Sequence, residues 1–339
     1  MPRSWMLAVL VACGARTQLD DDASSSDADT PDLVETSVDV VLADVAGEEV
    51  TAPPAQCDVT TPTVLATSST FASQVALDDS FAYFAQYTSI ERVSKAGGAS
   101  QLIASAWLVS SPVVAGFALD ATDLYYVAEM YHVDRLPKGG GTEQELFDLY
   151  SEVPLTVVNG PHLYVWSGDG GTTLFRIPTA GGASTVVTSQ LPAYTNAIAI
   201  DGNVAYVTSN ATGTWVVDLT NGSALQRDTM PAWNVVIDST YAYFTTGNHD
   251  PKGPNAVMRM AKTGGAPEEL AKATYAFALA LDGDSVYFTD TNAGAIERVP
   301  KGGGVPTTVA TDGDDPIGIA VDDRCVYWTN AHGLVATPK

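Results

Sequence analysis

The sequence lacks most of the features that identify a familiar enzyme, a nucleic-acid-binding protein or a helical membrane protein. It has 16 basic residues against 40 acidic ones, and the net charge of -24 disfavours nucleic acid and anionic lipid surfaces as partners. No segment shows a convincing helical period. It contains no Walker loop, serine elbow, CxxC pair or dinucleotide fingerprint. These absences indicate an acidic protein built mainly from strands, without a recognisable catalytic motif.

The N-terminus, MPRSWMLAVLVACGA, predicts export. Arg3 precedes an apolar run that is too short to span a bilayer, and small residues precede Cys13. This pattern resembles the bacterial lipobox, so we interpret residues 1–13 as a lipoprotein signal that leaves Cys13 lipidated. Gly14 resembles outer-membrane sorting in Gram-negative bacteria, with the protein on the periplasmic side or at the cell surface. A plain secretory signal is the alternative.

Residues 14–60 predict a disordered acidic linker. The segment is rich in Asp, Ser, Thr and Pro and has no aromatic residue. Such a composition cannot bury enough apolar surface to offset the entropy of ordering. We therefore expect a tether between the lipid anchor and a folded domain at residues 61–339.

A repeat dominates the folded domain. An Asp or Asn, here called the repeat aspartate, stands five residues before a tyrosine in seven copies spaced about 41 residues apart. The pairs are Asp78/Tyr83, Asp120/Tyr125, Asn159/Tyr164, Asp201/Tyr206, Asp238/Tyr243, Asp282/Tyr287 and Asp322/Tyr327.

The second half of each unit carries an arginine, often a lysine three residues later, and a Gly-Gly turn, as in IERVPKGGG. We expect the arginines to pair with acids and the lysines to be solvated charges at the sheet edge. Each unit reads as four short strands, A to D, with the repeat aspartate after strand A and the tyrosine on strand B.

Four strands per unit of about 40 residues are typical of a β-propeller blade. The chain ends after strand C of the seventh unit, and TPTVLATS at residues 61–68 could supply the missing strand D. The prediction is an all-β, seven-bladed β-propeller of four-stranded antiparallel blades, whose last blade is closed by the N-terminal strand. Six blades is the alternative.

The VYFTD and VYWTN stretches resemble the YWTD repeats of lipoprotein-receptor propellers. The whole of residues 62–339 is similar to NHL-type and virginiamycin-B-lyase-like bacterial propellers. The resemblance implies the fold but not the activity, because propellers include enzymes, ligand binders and scaffolds.

Two cysteines remain if Cys13 is lipidated. Strand connectivity places Cys57 and Cys325 at the same end of the seventh blade, and an exported protein occupies a compartment that permits disulfides. We expect a Cys57–Cys325 bridge that holds the ring shut. Two free thiols are the alternative.

Two groups of polar residues are candidates for a catalytic or metal site. Asp312, Asp314 and Asp315 lie in the loop that enters blade seven, near Asp290 of blade six, and such oxygen ligands suit calcium or another divalent cation. The alternative is an ordinary solvated turn. Candidate bases are the histidines that follow strand B, among them His249 and His332.

Aromatic residues precede strand A in several blades and could form a ring at the channel mouth, where they would stack on a sugar or another flat ligand. Packing between blades is the alternative. The candidates are Phe71, Trp107, Tyr194, Trp233 and Tyr275.

The sequence therefore favours a monomeric cell-envelope lipoprotein whose propeller binds a protein or carbohydrate partner and performs no catalysis. It predicts no nucleic-acid partner, membrane contact only through the lipid, and no cofactor apart from the divalent cation considered above. The alternative is a metal-dependent lyase or lactonase with Asp290 as ligand and His332 or His249 as base.

Overall fold

The computed structural model describes residues 61–68, 70–86, 88–105, 116–128, 132–148, 155–167, 172–192, 194–247 and 255–339. These residues form 28 strands in seven four-stranded antiparallel sheets and contain no helix, so they offer no helical membrane span. The sheets are the blades of a propeller, which confirms the predicted fold class. The predicted signal and linker, with Cys13 and Cys57, lie outside the described residues.

The first four blades follow one another along the chain, each with its strands in sequence order. Blade 1 consists of β2 (Ala72–Leu77), β3 (Phe81–Gln86), β4 (Ser89–Ser94) and β5 (Gln101–Ser105). Blade 2 consists of β6 (Phe117–Leu119), β7 (Asp123–Ala128), β8 (His132–Pro137) and β9 (Gln144–Asp148). Blade 3 consists of β10 (Leu155–Asn159), β11 (His162–Ser167), β12 (Thr173–Pro178) and β13 (Thr185–Thr188). Blade 4 consists of β14 (Thr195–Asp201), β15 (Val204–Ser209), β16 (Gly213–Asp218) and β17 (Ala224–Gln226).

The last three blades bring the two ends of the domain together. Blade 5 consists of β18 (Ala232–Ile237), β19 (Tyr241–Thr246), β20 (Ala256–Ala261) and β21 (Glu268–Lys272). Blade 6 consists of β22 (Ala276–Leu281), β23 (Ser285–Asp290), β24 (Ala295–Pro300) and β25 (Thr307–Thr311). Blade 7 consists of β26 (Ile319–Val321), β27 (Cys325–Asn330), β28 (Gly333–Pro338) and β1 (Thr63–Thr67).

Blade 7 confirms the predicted closure. Strand β1 pairs antiparallel with β28, with Thr63 opposite Ala336 and Thr67 opposite Gly333. Because this blade contains both the first and the last strand, it joins residues far apart in sequence and leaves no open end to the ring.

The core consists of seven apolar clusters, and each lies at the contact between two adjacent blades, here called a seam. Tyr83 of blade 1, for example, packs with Tyr126 and Leu136 of blade 2. Strand B is almost wholly buried in the blades, as in the pattern of β23, whereas strand D is largely exposed, as in β5. The hydrophobic core is therefore divided among the seams, and no blade has a complete core of its own.

The repeat aspartate organises the turn between strands A and B. In blade 1, Asp78 Oδ1 accepts hydrogen bonds from the backbone N–H groups of Ser80 (3.0 Å) and Phe81 (2.8 Å). Its Oδ2 accepts a hydrogen bond from the Tyr83 hydroxyl at 2.9 Å. The same tyrosine–aspartate bond forms in blades 2, 5, 6 and 7. The five-residue spacing in the sequence is thus the spacing of a hydrogen-bonded hairpin.

The repeat lysines connect neighbouring blades. Lys138 of blade 2 contacts Asp78 of blade 1 at 3.1 Å, and Lys301 of blade 6 contacts Asp238 of blade 5 at 3.1 Å. The expectation that these lysines are solvated edge charges is wrong, because their side chains are 11–20% exposed and each is paired across a seam. The other pairs are Lys95–Asp322, Lys262–Asp201 and Lys339–Asp282.

The arginines reinforce the same seams. Arg92 donates to the backbone oxygen of Lys138, and Arg259 donates to that of Lys301, both at 2.5 Å. Arg259 also pairs with the acid Glu268 on its own blade at 2.7 Å, as expected, whereas Arg92 and Arg135 bond to Gln101 and Gln144 at the same position. The glycines between strands C and D form the hairpin turn that follows the arginine and the lysine. In blade 6, Gly303 has φ +88° and its N–H donates to Pro300 O.

These contacts predict a loss of stability in acid. Burial alone would raise the pKa of Asp238, but hydrogen bonds from the Tyr241 and Thr240 backbone, Tyr243 and Lys301 lower it to about 2. Burial would also raise the pKa of Asp282, but hydrogen bonds from Lys339 and from groups of its own turn lower it to about 2. Since the folded value lies below the ordinary 3.8, the stabilisation is complete above that pH and disappears as the pH falls toward 2.

Urea unfolding of the wild type and Asp282→Asn between pH 2 and 7 would measure this effect. The variant should be roughly 2 kcal/mol less stable at pH 7, with the difference shrinking through the acid range. Asp79→Asn, at an exposed turn position of blade 1, is the control and should follow the wild type. A constant difference across the whole pH range would contradict the assignment.

Candidate functional site

The innermost strands of the blades surround a central cavity of about 240 Å³. Its described lining comes from strand A of six blades together with the residues just before those strands. The polar lining residues are Ser73, Gln74, Thr156, Asn196 and Asn234, and the aromatic ones are Trp233 and Phe277.

A shared register explains why these residues face the cavity. Asn196, Trp233 and Phe277 each stand five residues before the repeat aspartate of their blade, and Gln74 and Asn234 stand four before it. Strand A is irregular here, with a register shift between Ala232/Val235 in blade 5 and comparable shifts in blades 1, 4 and 6. A bulge interrupts the strict alternation of side chains, so consecutive residues can line the same cavity.

The amide side chains also join neighbouring blades around the cavity. Gln74 donates to the Phe117 backbone oxygen at 2.9 Å and accepts from the Phe117 N–H at 3.2 Å. Asn196 donates its Nδ2 to Ala232 O at 3.0 Å, and Asn234 accepts from the Leu279 N–H at 3.3 Å. These bonds fix the orientation of the amides and hence of the cavity wall.

Buried threonines on strand B form hydrogen bonds with backbone groups of the strands that make this wall. Thr289 Oγ1 accepts from the Ala278 N–H at 3.0 Å and donates to Ile317 O of the next blade at 3.0 Å. Thr245 makes the same pair of bonds between blades 5 and 6. This role was not predicted from the sequence, although the threonine that recurs in the YFTT, YFTD and YWTN stretches was a signal for it.

The cavity has the chemistry of a binding site. None of its described lining residues is an acid, a base or a cysteine. The amides and hydroxyls can donate and accept hydrogen bonds, and the rings of Trp233 and Phe277 offer apolar faces. This lining can bind a neutral polar molecule.

The predicted acidic cluster consists mainly of hydrogen-bonded turn residues. Asp290 is buried and accepts bonds from the Thr274 N–H at 2.7 Å, the Thr274 hydroxyl at 2.5 Å and the Tyr275 N–H at 2.8 Å. Asp312 is buried as well, and accepts from the Trp328 indole, from Asn330 Nδ2 at 2.9 Å and from the Asp314 N–H at 3.0 Å. A cation would have to displace these donors.

The remaining members of that cluster do not complete a metal site. Asp314 lies 3.7 Å from His332 Nε2, and both side chains are exposed. Asp315 occupies a turn with φ +53°. Among the described residues, no three His, Cys, Asp or Glu side chains are placed to hold a metal ion. His249 lies outside the described residues.

The aromatic candidates are distributed differently from a ring. Trp233 lines the cavity, whereas Tyr275 is buried beside Phe277, with ring centroids 6.0 Å apart. Tyr194 is 68% exposed, and Phe71 is half-buried and is not part of the cavity lining. Trp107 lies outside the described residues. Phe277 was missed, although it shares the register of Trp233.

Cys325 begins β27 and is buried. Its predicted partner, Cys57, lies outside the described residues, so the bridge remains a prediction.

Seven four-stranded blades around a central cavity define a seven-bladed β-propeller. No family model and no curated protein matches the sequence. Among solved structures, virginiamycin B lyase from Staphylococcus aureus is similar, with 13% identity, a TM-score of 0.66 and coverage of 81% of this chain and 97% of that one.

Two further structures share the propeller fold. The extracellular domain of a two-component system from B. thetaiotaomicron has 12% identity and a TM-score of 0.64, covering 82% of this chain and 40% of that chain. A nidogen/laminin complex has 16% identity and a TM-score of 0.51, covering 62% of this chain and 86% of that chain. At these identities the likeness shows the fold alone.

The threonine contacts predict a specific stability effect. Thr289→Val removes one acceptor and one donor and leaves Ala278 N–H and Ile317 O buried without that partner, so it should destabilise the protein by about 2 kcal/mol or more. Thr289→Ser retains the hydroxyl and should be milder. Urea unfolding measures both, and a Val variant at least as stable as the Ser variant would contradict the role.

At Thr156, removal of the hydroxyl should increase the free energy of unfolding, the opposite of the effect at Thr289. Thr156 is 3% exposed, and its hydroxyl has no hydrogen-bond partner among the described residues. Replacing this hydroxyl by a methyl in Thr156→Val should therefore stabilise the protein by up to ~1 kcal/mol. A fall in the free energy of unfolding would show that the hydroxyl is bonded, for instance through ordered water.

Proposed function

We propose that this chain is an exported, lipid-anchored propeller that binds a partner and catalyses no reaction. The observation that carries the proposal is the uncharged cavity lining of amide, hydroxyl and aromatic side chains. Asp290, the ligand in the metal-dependent alternative, and Asp312 accept hydrogen bonds from neighbouring backbone and side-chain groups instead.

The cellular location is the part of the proposal that rests on sequence. Cys13 would carry the lipid, residues 14–60 would form the tether, and residues 61–339 would be held at the outer membrane of a Gram-negative bacterium. Labelled palmitate in such a host tests this. The wild type should take up the label and fractionate with membranes, whereas Cys13→Ala should do neither; labelling of both chains would contradict the anchor.

The binding surface would be the face where the D–A and B–C loops surround the cavity. Residues from several blades meet there, and the ring of Trp233 offers a flat apolar surface that can pack against a sugar or a protein side chain. The bonds between blades hold these groups in place before a partner arrives, which reduces the entropy lost on binding. A protein or a carbohydrate of the envelope fits this surface.

Capture of envelope proteins and screening on a glycan array test the binding role. Trp233→Ala should reduce the binding of any partner recovered with the wild type by about tenfold or more, as expected for a central aromatic contact. Val305→Ala removes an exposed apolar side chain at the C–D turn of blade 6, at the other end of the strands, and should bind like the wild type. Binding that is unaffected by Trp233→Ala would place the surface elsewhere.

The lyase or lactonase alternative depends on a divalent cation and has a separate test. Among the described residues named for it, the exposed pair of His332 and Asp314 is the contact in its favour. A cation at a hundred times its Kd would stabilise the fold by ~2.7 kcal/mol. We expect millimolar calcium or magnesium to leave the unfolding temperature unchanged; a rise that Asp290→Asn abolishes would favour the enzyme.

A further inference from the structure

The inner walls of blades 4, 5 and 6 form a continuous arc of side chains on the cavity. Asn196 comes from blade 4, Trp233 and Asn234 from blade 5, and Phe277 from blade 6. These four residues are called the channel arc. Because the three blades are adjacent, an amide, an indole with a second amide, and a phenyl ring face the same enclosed space.

Among the described residues, each amide of the channel arc has a hydrogen-bond partner for only one of its two polar atoms. Asn196 donates through Nδ2, which leaves its Oδ1 as an acceptor. Asn234 accepts through Oδ1, which leaves its Nδ2 as a donor. Neither remaining atom is among the buried unsatisfied atoms of the described residues. The arc thus presents one acceptor and one donor to whatever enters the cavity.

The two rings supply the apolar part of the site. The Trp233 indole donates to Gly247 O at 3.0 Å, which fixes the ring, and the residue lines the cavity. Phe277 stands at the equivalent position of the next blade. Rings of this kind pack against the C–H faces of a sugar, while amides bond to its hydroxyl groups.

The charge of the lining and the volume of the cavity restrict the class of ligand further. The described lining holds no Asp, Glu, Lys, Arg or His, so a charged ligand would lose its hydration without gaining a counter-charge. A volume of about 240 Å³ is small for a drug-sized ligand and suits a single ring. Both limits point to a neutral monosaccharide, free or at the end of a chain.

We infer that the channel arc binds one neutral monosaccharide unit, with Asn196 Oδ1 accepting from a sugar hydroxyl, Asn234 Nδ2 donating to one, and Trp233 and Phe277 packing against the ring. The inference rests on the proposed binding function and specifies its ligand class. It differs from the predicted aromatic ring, because amides from two blades supply the polar contacts and Phe71, Tyr194 and Tyr275 take no part.

Calorimetric titration of the full chain tests the ligand class. The neutral probes are D-glucose, D-galactose and N-acetyl-D-glucosamine, and the charged probes are D-glucuronate and D-glucosamine. At least one neutral sugar should bind with one site per chain, and the charged probes should bind at least ~10-fold more weakly. Absence of heat with every neutral sugar would mean a channel that holds water only and would overturn the inference, as would equal binding of the charged probes.

A matched pair of variants tests the site. Asn234→Asp keeps the oxygen that accepts from Leu279 but removes the donor, so it should weaken binding of the neutral sugar about tenfold. Asn203→Asp makes the same change at an exposed A–B turn position and should leave the affinity unchanged. Unfolding temperatures of both variants verify the fold. An unchanged affinity in Asn234→Asp would overturn the assignment.

The outcome also separates this inference from the broader proposal. If a protein partner binds in a Trp233-dependent way while no neutral sugar binds, the binding function stands and the sugar inference fails. If sugars bind with no dependence on Trp233 or Asn234, both the proposed surface and the channel arc are wrong.

Discussion

The fold depends on a carboxylate that, in blades 1, 5, 6 and 7, satisfies three demands at once. Asp238 shows the arrangement: its Oδ1 accepts from the N–H groups of Thr240 and Tyr241, and its Oδ2 accepts from Tyr243 and lies 3.1 Å from Lys301 of the next blade. The first two contacts form a hairpin within the blade, and the third connects it to its neighbour. Because local and long-range structure share the same atoms, the aspartate recurs with the period of the blades.

Two seams use other means. Blade 3 has Thr179 at the lysine position, and Arg135 of blade 2 donates to its backbone oxygen at 3.0 Å. Between blades 3 and 4, Asn159 replaces the aspartate and donates to Gly202 O at 3.1 Å, while Trp166 belongs to the apolar cluster of that seam. At these two seams, hydrogen bonds to backbone oxygens and apolar packing thus stand in place of the ion pair.

Repetition determined what could be predicted from the sequence. The tyrosine spacing, the Gly-Gly turns and the closing strand each recur or complete a recurring unit, so blade number and closure followed from the pattern. The lysines recur too, but their environment was misjudged, because the aspartate that pairs with each one lies in the preceding blade. The threonine bonds were missed for the same reason: their partners are backbone groups of strand A, on either side of a seam.

The site could be predicted only in part, since its residues do not repeat. Trp233 was a candidate, whereas Asn196, Asn234 and Phe277 gave no chemical signal beyond their register before the repeat aspartate. Asp290 and Asp312 read as cation ligands because a sequence does not show which N–H groups lie within reach of a carboxylate. The hydrogen bonds between blades that stabilise the fold also hold the amides and the aromatic side chains of the channel arc in place.

The repeat aspartate and the lysine of the next blade are energetically coupled across the seam. A double-mutant cycle with Asp238→Asn and Lys301→Met, followed by urea unfolding at pH 7 and low salt, measures that coupling directly. Both side chains are about one-fifth exposed, so the coupling free energy should be at least ~0.5 kcal/mol in favour of the pair. Strictly additive effects of the two substitutions would contradict it.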